Sequence, residues 1–129
     1  MPGGSCTQLH ELPWSAARII DESRRATLST VAPDGSISVV PVCFAIEGDR
    51  VLTQVDDKPK QDHELARVRN VRREPRATLL FDRWDEDWTR LGWVMVKGVA
   101  SVESARLVPA LLDRYPQYER QPSGPVIVV

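Results

Sequence analysis

A cluster of basic residues between residues 58 and 76 is the part of the sequence best suited to bind an anionic ligand. It holds seven cationic side chains against three acidic ones, a local charge of +4 in a chain whose net charge is −1. A strand predicted to end at Val55 precedes it and a helix is predicted over residues 62–74, so positive charge and free helix amides meet there. A solvated basic helix face would show the same composition. The cations are Lys58, Lys60, Arg67, Arg69, Arg72, Arg73 and Arg76.

Two apolar segments form a second candidate feature. Residues 39–44 are almost continuously apolar and are interrupted by Pro41, which cannot donate to a strand ladder. Residues 51–55 follow one hairpin later. A flat heteroaromatic ring needs apolar contact on its faces and a few donors and acceptors at its edge. The two segments suit such a ring, although plain core packing explains the same pattern.

Three tryptophans within ten residues form the third candidate feature. Trp84, Trp88 and Trp93 span an acidic loop and the start of a strand, with Arg90 between them. Tryptophan and arginine are enriched at subunit interfaces and over flat ligands. Core packing is the alternative, and at least one of the three is expected to pack in the core. Trp14, on the first predicted helix, is also expected there.

The remaining reactive side chains indicate neither a metal site nor a thiol nucleophile. Cys6 and Cys43 lie far apart, and His10 and His63 are isolated from them and from each other. We therefore expect two free thiols in a reducing compartment, which places the protein in the cytoplasm.

Overall charge and hydropathy argue against large anionic partners and against membranes. A net charge of −1 and an isoelectric point of about 6.1 disfavour nucleic-acid binding by the chain as a whole. No segment approaches the roughly 18 consecutive apolar residues that a membrane span needs, and the first residues do not resemble a secretion signal.

The periodicity of apolar residues predicts the elements that would position these features. Helical spacing marks residues 11–25, 62–74 and 105–115, and strand patterns mark residues 26–31, 37–46, 50–55, 76–81, 91–102 and 125–129. Asp62 is the expected N-cap of the second helix, Pro41 the expected site of a bend, and Gly98 that of a bulge or close approach. Tyr115 is expected to hold the last helix in place. The order predicts a mainly β fold, a small antiparallel barrel with capping helices in one domain over residues 1–129, with residues 1–10 flexible.

Several short motifs, taken together in their order and spacing, resemble a known family. The sequence is similar to the split β-barrel flavin and deazaflavin oxidoreductases related to pyridoxamine-phosphate oxidase, and most of all to their actinobacterial branch that depends on the deazaflavin F420. The motifs are Ala26–Thr30 with Pro33-Asp34-Gly35, Val40–Phe44, Lys58-Pro59-Lys60, Arg69-Asn70-Val71 with Pro75-Arg76, and Asp85–Trp88 with Trp93 and Gly98.

The resemblance implies an FMN-binding split barrel of six or seven strands, which forms a homodimer with two cofactor sites at the subunit interface. Relatives continue past the point where this chain ends, so the last strand is expected to be cut short at Val129. By analogy, the ring would lie against the backbone of Val39, Val40, Pro41, Val42, Thr53, Gln54 and Val55. The phosphate would bind Lys58, Lys60, Arg67 and Asn70, and the partner would contribute Trp88, Arg90 and Trp93.

The function expected from this resemblance is hydride transfer between F420 and a small organic acceptor. No catalytic side chain and no metal are expected, because the chemistry of such cofactors resides in the ring. The alternatives are an FMN-binding protein similar to pyridoxamine-phosphate oxidase, and a non-catalytic carrier of a deazaflavin or haem.

Overall fold

Antiparallel strand pairing builds this protein from two four-stranded sheets. The computed structural model describes residues 3–56, 65–104, 108–115 and 123–129, and for residues 55, 56 and 123–125 it describes the backbone alone. The helices are α1 (Trp14–Glu22), α2 (Ala66–Arg73) and α3 (Pro109–Arg114). The strands are β1 (Ala26–Val31), β2 (Ile37–Val42), β3 (Ala45–Glu47), β4 (Arg50–Asp56), β5 (Arg76–Arg83), β6 (Gly92–Val99), β7 (Ser101–Glu103) and β8 (Ser123–Val128).

The two sheets are linked by two chain segments that leave one sheet and enter the other. Sheet A has the strand order β2-β1-β5-β6, and sheet B has the order β3-β4-β8-β7. The chain passes from A to B between β2 and β3, and again between β6 and β7. Each crossing divides a segment that the sequence pattern predicts as one strand. The described residues therefore form eight strands instead of the predicted six or seven, while the mainly β, antiparallel fold class is confirmed.

The first crossing lies at Phe44, not at the predicted bend at Pro41. Pro41 continues the regular β1–β2 ladder opposite Thr27. Strand β2 is the edge of sheet A, where a missing N–H breaks no pairing on the open side. The chain changes sheets three residues later at Phe44, which is completely buried, with its ring edge-on to that of Phe81 at 4.8 Å between centroids.

The second crossing lies at Ala100, and the expectation for Gly98 is wrong. The β5–β6 register runs without a slip from Arg76 opposite Val99 to Arg83 opposite Gly92, so there is no bulge. A Cβ added at Gly98 would lie 3.5 Å from Cγ1 of Val129, which is an ordinary contact. The chain leaves sheet A at Ala100, directly after β6. There the Ala100 N–H donates a hydrogen bond to the Pro75 carbonyl at 2.7 Å.

The helices are shorter than their apolar patterns predict. Helix α1 begins after Pro13 and ends before Ser23, which is its C-cap. Trp14, at its first position, is 72% exposed with Arg18 over its ring, so the expectation of a core role is wrong. Helix α2 begins after Leu65; the predicted N-cap, Asp62, lies outside the described residues. Its predicted apolar face is confirmed, since Val68 and Val71 are buried and Leu65 packs against the same core.

The core covers both faces of sheet B but only one face of sheet A. Side chains from both sheets, α1 and α2 form the main cluster, and a second cluster lies between sheet B and α3. The neighbours Val51 and Leu52 of β4 illustrate this arrangement, since the first belongs to the main cluster and the second to the α3 cluster. The opposite face of sheet A has no such cover in the described part of the chain.

Tyr115 holds α3 against the first crossing, as the sequence predicts. Its hydroxyl accepts a hydrogen bond from the Phe44 N–H at 3.3 Å and donates one to the Arg24 carbonyl at 3.0 Å. The bond to Phe44 satisfies a buried amide at the point where the chain changes sheets.

We expect Tyr115→Phe to lower the free energy of unfolding by about 1–3 kcal/mol, because it keeps the ring but removes the partner of a buried amide. The midpoint of urea unfolding measures the change. Trp14→Phe, at an exposed site, is the control and should stay within about 0.5 kcal/mol of the wild type. Equal midpoints for Tyr115→Phe and the wild type would show that the hydroxyl does not stabilise this crossing.

Candidate functional site

The uncovered face of sheet A exposes several large apolar side chains. Side chains on alternate positions of a strand point to one face, and on β6 these are Trp93, Met95, Lys97 and Val99. Val99 is 72% exposed and Trp93 is 66% exposed. Ile37 and Val39 of β2 complete the apolar surface. Exposed apolar surface of this kind marks a protein or ligand interface.

A shallow groove of about 770 Å³ crosses this face. Its polar lining includes the hydroxyls of Ser29 and Thr78, the ammonium of Lys97 and the guanidinium of Arg76. Ser29 pairs with Thr78 and Thr78 with Lys97, so these three lie on neighbouring strands. The apolar contributors are Ile37, Met95 and Val99. The mixture of apolar walls and a few polar groups is typical of small-molecule sites, and the volume falls within their range.

Sequence reasoning missed these groove residues. The alternation of residues 91–102 identifies the strand, but it does not tell which of its two faces the rest of the chain covers. A lysine between Met95 and Val99 on an otherwise apolar face was the available signal, because a charge within an apolar stripe is unusual.

The residues predicted to hold a ring occupy two different sheets. Val39 and Pro41 are exposed on the edge strand of sheet A, Val40 is half-buried and Val42 is buried. Thr53 and Gln54 are buried in β4 of sheet B, opposite Ile127 and Val126. Since those two partners belong to different core clusters, the Thr53 and Gln54 side chains face opposite sides of sheet B. Val55 is described only as backbone.

The predicted phosphate ligands are partly described. Lys58 and Lys60 lie outside the described residues. Arg67 is half-buried on the first turn of α2, and this helix starts without a side-chain cap at its N-cap residue, Leu65. Asn70, one turn further, is buried and donates from Nδ2 to Oγ1 of Thr30 at 3.1 Å. That bond attaches α2 to sheet A.

Two further cations of the basic cluster bind groups of their own chain. The Arg73 guanidinium donates to the Val31 carbonyl. Arg76 pairs with Glu74, and its hydrogen bond lowers the pKa of the Glu74 carboxyl while raising that of the Arg76 guanidinium. The C-terminal half of the cluster thus contributes to the connection between α2 and β5.

The tryptophans all lie at the surface. Trp84, Trp88 and Trp93 are exposed, so the expectation that one packs in the core is wrong. Trp88 and Arg90 belong to a short 3-10 turn, and Arg90 pairs with Asp85 at 3.0 Å. Trp93 faces outward because Gly92 and Val94 beside it are buried.

The 3-10 turn that carries Trp88 is held by the Asp87 carboxylate. Oδ1 accepts from the Thr89 hydroxyl at 2.6 Å and from the Thr89 amide at 3.0 Å. The hydroxyl and then the amide of Thr89 hold the pKa of Asp87 below its ordinary value. The cap is therefore present at neutral pH and is lost as the pH falls through the lowered pKa of the folded state.

A second groove, of about 620 Å³, lies between α1, β3 and α3 and contains none of the predicted ligand residues. Its two cations bind groups of the protein. Arg18 pairs with Glu22, and Arg114 donates to the carbonyls of Asp21 and Ser23. Nothing in its lining selects a ligand.

Other chemistry is limited in the described part of the chain. Cys6 and Cys43 are free thiols. Among the described residues no group of three or more histidine, cysteine, aspartate or glutamate side chains is placed to hold a metal ion. No helix there is long and apolar enough to cross a membrane.

Comparison with known proteins gives one family and several structures of similar fold. The family model described as pyridoxamine 5'-phosphate oxidase matches residues 14–129. No curated protein matches the chain significantly.

Three similar solved structures have TM-scores near 0.7. A conserved hypothetical protein, Rv2991 of Mycobacterium tuberculosis, has a TM-score of 0.70 at 22% identity, over 96% of this chain and 84% of that one. A protein described as an F420 reductase has a TM-score of 0.68 at 20% identity, over 92% and 94%. A heme binding protein of Mycobacterium smegmatis has a TM-score of 0.68 at 20% identity, over 89% and 49%. At these identities the likeness concerns the fold.

We expect Thr30→Val to lower the free energy of unfolding by about 1–3 kcal/mol, because the Asn70 amide then loses its buried acceptor. Chemical denaturation measures the change. Thr27→Val, half-buried on the same strand, is the control and should change stability by less than about 0.5 kcal/mol. If Thr30→Val and Thr27→Val both have the same free energy of unfolding as the wild type, the Asn70 bond does not attach α2 to sheet A.

Proposed function

The chain belongs to the pyridoxamine 5'-phosphate oxidase family, and on that premise we propose that two copies hold a flavin-type cofactor between them and catalyse hydride transfer to a small organic acceptor. The cofactor we propose is the deazaflavin F420. The single observation that carries the proposal is the uncovered apolar face of sheet A, which a second copy would cover.

The homodimer is supported by what this face exposes. Four of its apolar side chains are more than half exposed in the single chain: Ile37, Val39, Trp93 and Val99. Burial of apolar surface contributes about 25 cal/mol per Å², so pairing of two such faces is favourable. Trp88 and Trp93 lie at the end of the face where the acidic loop begins, in position to reach a ligand bound by the other copy.

The proposed phosphate site lies where β4 leads towards α2. The first turn of α2 offers amides that no side chain of its N-cap residue satisfies, and the half-buried Arg67 adds positive charge. Lys58 and Lys60 precede this turn in sequence. Asn70 would support the site indirectly, since its Nδ2 is bonded to Thr30. An anion at a helix N-terminus is favoured by the amides and by the helix dipole.

The ring would lie beside the backbone of residues 39–42 and 53–55, as the family resemblance implies. A deazaflavin supplies hydride transfer at its ring when bound. The protein would orient the ring, and the apolar faces of sheet A would exclude water from it. No side chain is assigned as an acid or base.

F420 is preferred to FMN because of the excess of cations. The basic cluster carries seven cations against three acids, which suits the additional acidic groups of a deazaflavin tail better than a single phosphate. A structure of similar fold is described as an F420 reductase. FMN in the same place is the main alternative.

A non-catalytic carrier is the second candidate function. Two structures of similar fold are described as a heme binding protein of Mycobacterium smegmatis and a heme storage protein of Vibrio cholerae, the latter at 13% identity and a TM-score of 0.66. Haem would need an axial ligand. His10, the one histidine in the described residues, is bonded to Asp49 at 2.9 Å, and His63 lies outside the described residues.

We expect the purified protein to bind F420 more tightly than FMN in a fluorescence titration. Lys58→Ala/Lys60→Ala should weaken F420 binding by at least roughly 100-fold, because two hydrogen bonds to a charged group contribute about 1.5 kcal/mol each at the lower end of their range. Arg25→Ala/Arg50→Ala removes the same charge from exposed sites elsewhere and should leave the affinity within about threefold. Tight FMN binding without F420 binding would overturn the choice of cofactor.

We also expect the protein with reduced F420 to reduce conjugated or quinone-like acceptors, since hydride transfer requires an acceptor that stabilises the added electron pair. Oxidation of the cofactor, followed by absorbance against a panel of acceptors, measures this activity. Protein-free cofactor with each acceptor is the control. Tight F420 binding without turnover on any acceptor would favour the carrier.

A further inference from the structure

Three charged side chains, Arg76, Asp82 and Lys97, interrupt the outer face of sheet A. Lys97 of β6 and Asp82 of β5 are both exposed on it. Neither has an ion-pair partner within the described part of the chain, whereas the third charge on this face, Arg76, is paired with Glu74. When a second copy covers this face, both unpaired charges lose water, and a buried charge without a partner is strongly destabilising.

Lys97 and Asp82 cannot pair within one copy. Thr78 lies opposite Lys97, and Asp82 lies four residues further along β5, opposite Trp93. At about 3.3 Å per residue the two charges are roughly 13 Å apart along the strands. Within the part of the chain that the structure describes neither charge has an ion-pair partner, so at a covered face the other copy would have to supply one.

The orientation of the second copy decides whether these partners exist. Residues paired across neighbouring strands form a row, such as Thr78 with Lys97 or Asp82 with Trp93. If the two faces stack with their strands running in the same direction, each row meets the same row of the other copy, so Lys97 and Asp82 can meet only like charge and never each other. Contact between like charges across an interface costs several kcal/mol. If the strands run in opposite directions, Lys97 of each copy meets the row of the other copy that contains Asp82 and Trp93.

We propose that two copies pack the outer faces of sheet A with their β5–β6 hairpins antiparallel, so that Lys97 of each copy binds Asp82 of the other. The inference rests on the homodimer proposed above and adds its orientation and its specific contacts. The two-fold axis crosses the strands near the row of Leu80 and Met95, which lies midway between the two charged rows. The Trp93 ring lies beside Asp82 and can receive the same ammonium on its face.

Charge reversal tests this arrangement through the dimer dissociation constant. Sedimentation equilibrium of Lys97→Asp and of Asp82→Lys should each show a dissociation constant at least tenfold above that of the wild type. The double variant, which exchanges the two charges, should return to within about threefold. Arg25→Glu and Asp113→Lys reverse exposed charges outside this face and should have no effect. Circular dichroism of every variant checks that it is folded.

A zero-length carbodiimide cross-link provides a second measurement on the wild-type protein. The reagent joins a carboxylate and an amine as an amide with loss of water, so it reacts only where the two groups touch. The expected product is a covalent dimer whose digest contains the Asp82 peptide linked to the Lys97 peptide. The 13 Å separation within one copy means that this product can arise only between copies.

The possible outcomes separate this inference from the proposed function. A wild-type protein that stays monomeric at high concentration overturns both. A stable dimer whose dissociation constant is unchanged in the two single variants, or is not restored in the double variant, overturns only the antiparallel arrangement. A restored double variant together with the cross-link supports it.

Discussion

The fold depends on how buried backbone groups are satisfied where two strands change sheets. A strand that leaves a ladder exposes amides and carbonyls that must find new partners inside the protein. At the first crossing the Phe44 N–H is bound by the Tyr115 hydroxyl, and at the second the Ala100 N–H is bound by the Pro75 carbonyl. The two crossings hold the sheets around one core. They also direct α3 to sheet B, which leaves the outer face of sheet A without a helix.

This uneven covering connects the architecture to the proposed chemistry. Sheet B is buried on both faces, and its buried polar residues, Thr53 and Gln54, are enclosed by core. Sheet A presents alternate residues of four strands to the outside. A second copy over the open face of sheet A would help to enclose the proposed flat ligand. The bond between Asn70 and Thr30 fixes the helix that would receive a phosphate relative to that same sheet.

Local patterns in the sequence predicted much of this fold. The bounds of β1 are predicted to the residue, because small polar and apolar side chains alternate over most of the stretch from Ala26 to Val31. Pro41 and Gly98 misled the prediction because their effect depends on tertiary position: a proline on an edge strand is tolerated, and a glycine in a regular ladder need not bend it. Trp14 misled it because helix α1 starts later than its apolar spacing indicates. Residue type alone does not reveal which strand is an edge or which face is covered.

The candidate site was less accessible to sequence reasoning than the fold. The motif resemblance selected residues of β2, β4 and α2. A short motif identifies positions along the chain, but it does not indicate which of those side chains are buried. The groove on sheet A combines β1, β5 and β6, which are distant in sequence, so their shared face emerges only from the strand order. Lys97 is an example, because its place in the groove depends on its pairing with Thr78 and on the pairing of Thr78 with Ser29.

Pro41 has one more consequence for how copies of this protein associate. Strand β2 is one of the two edges of sheet A, and an edge strand can recruit a strand from another molecule and extend into a continuous sheet. A proline in that edge cannot donate a hydrogen bond to an incoming strand, and its ring obstructs close approach. Growth of sheet A through this edge into long assemblies is therefore disfavoured. Contact between two faces, which is complete once two copies have paired, remains possible.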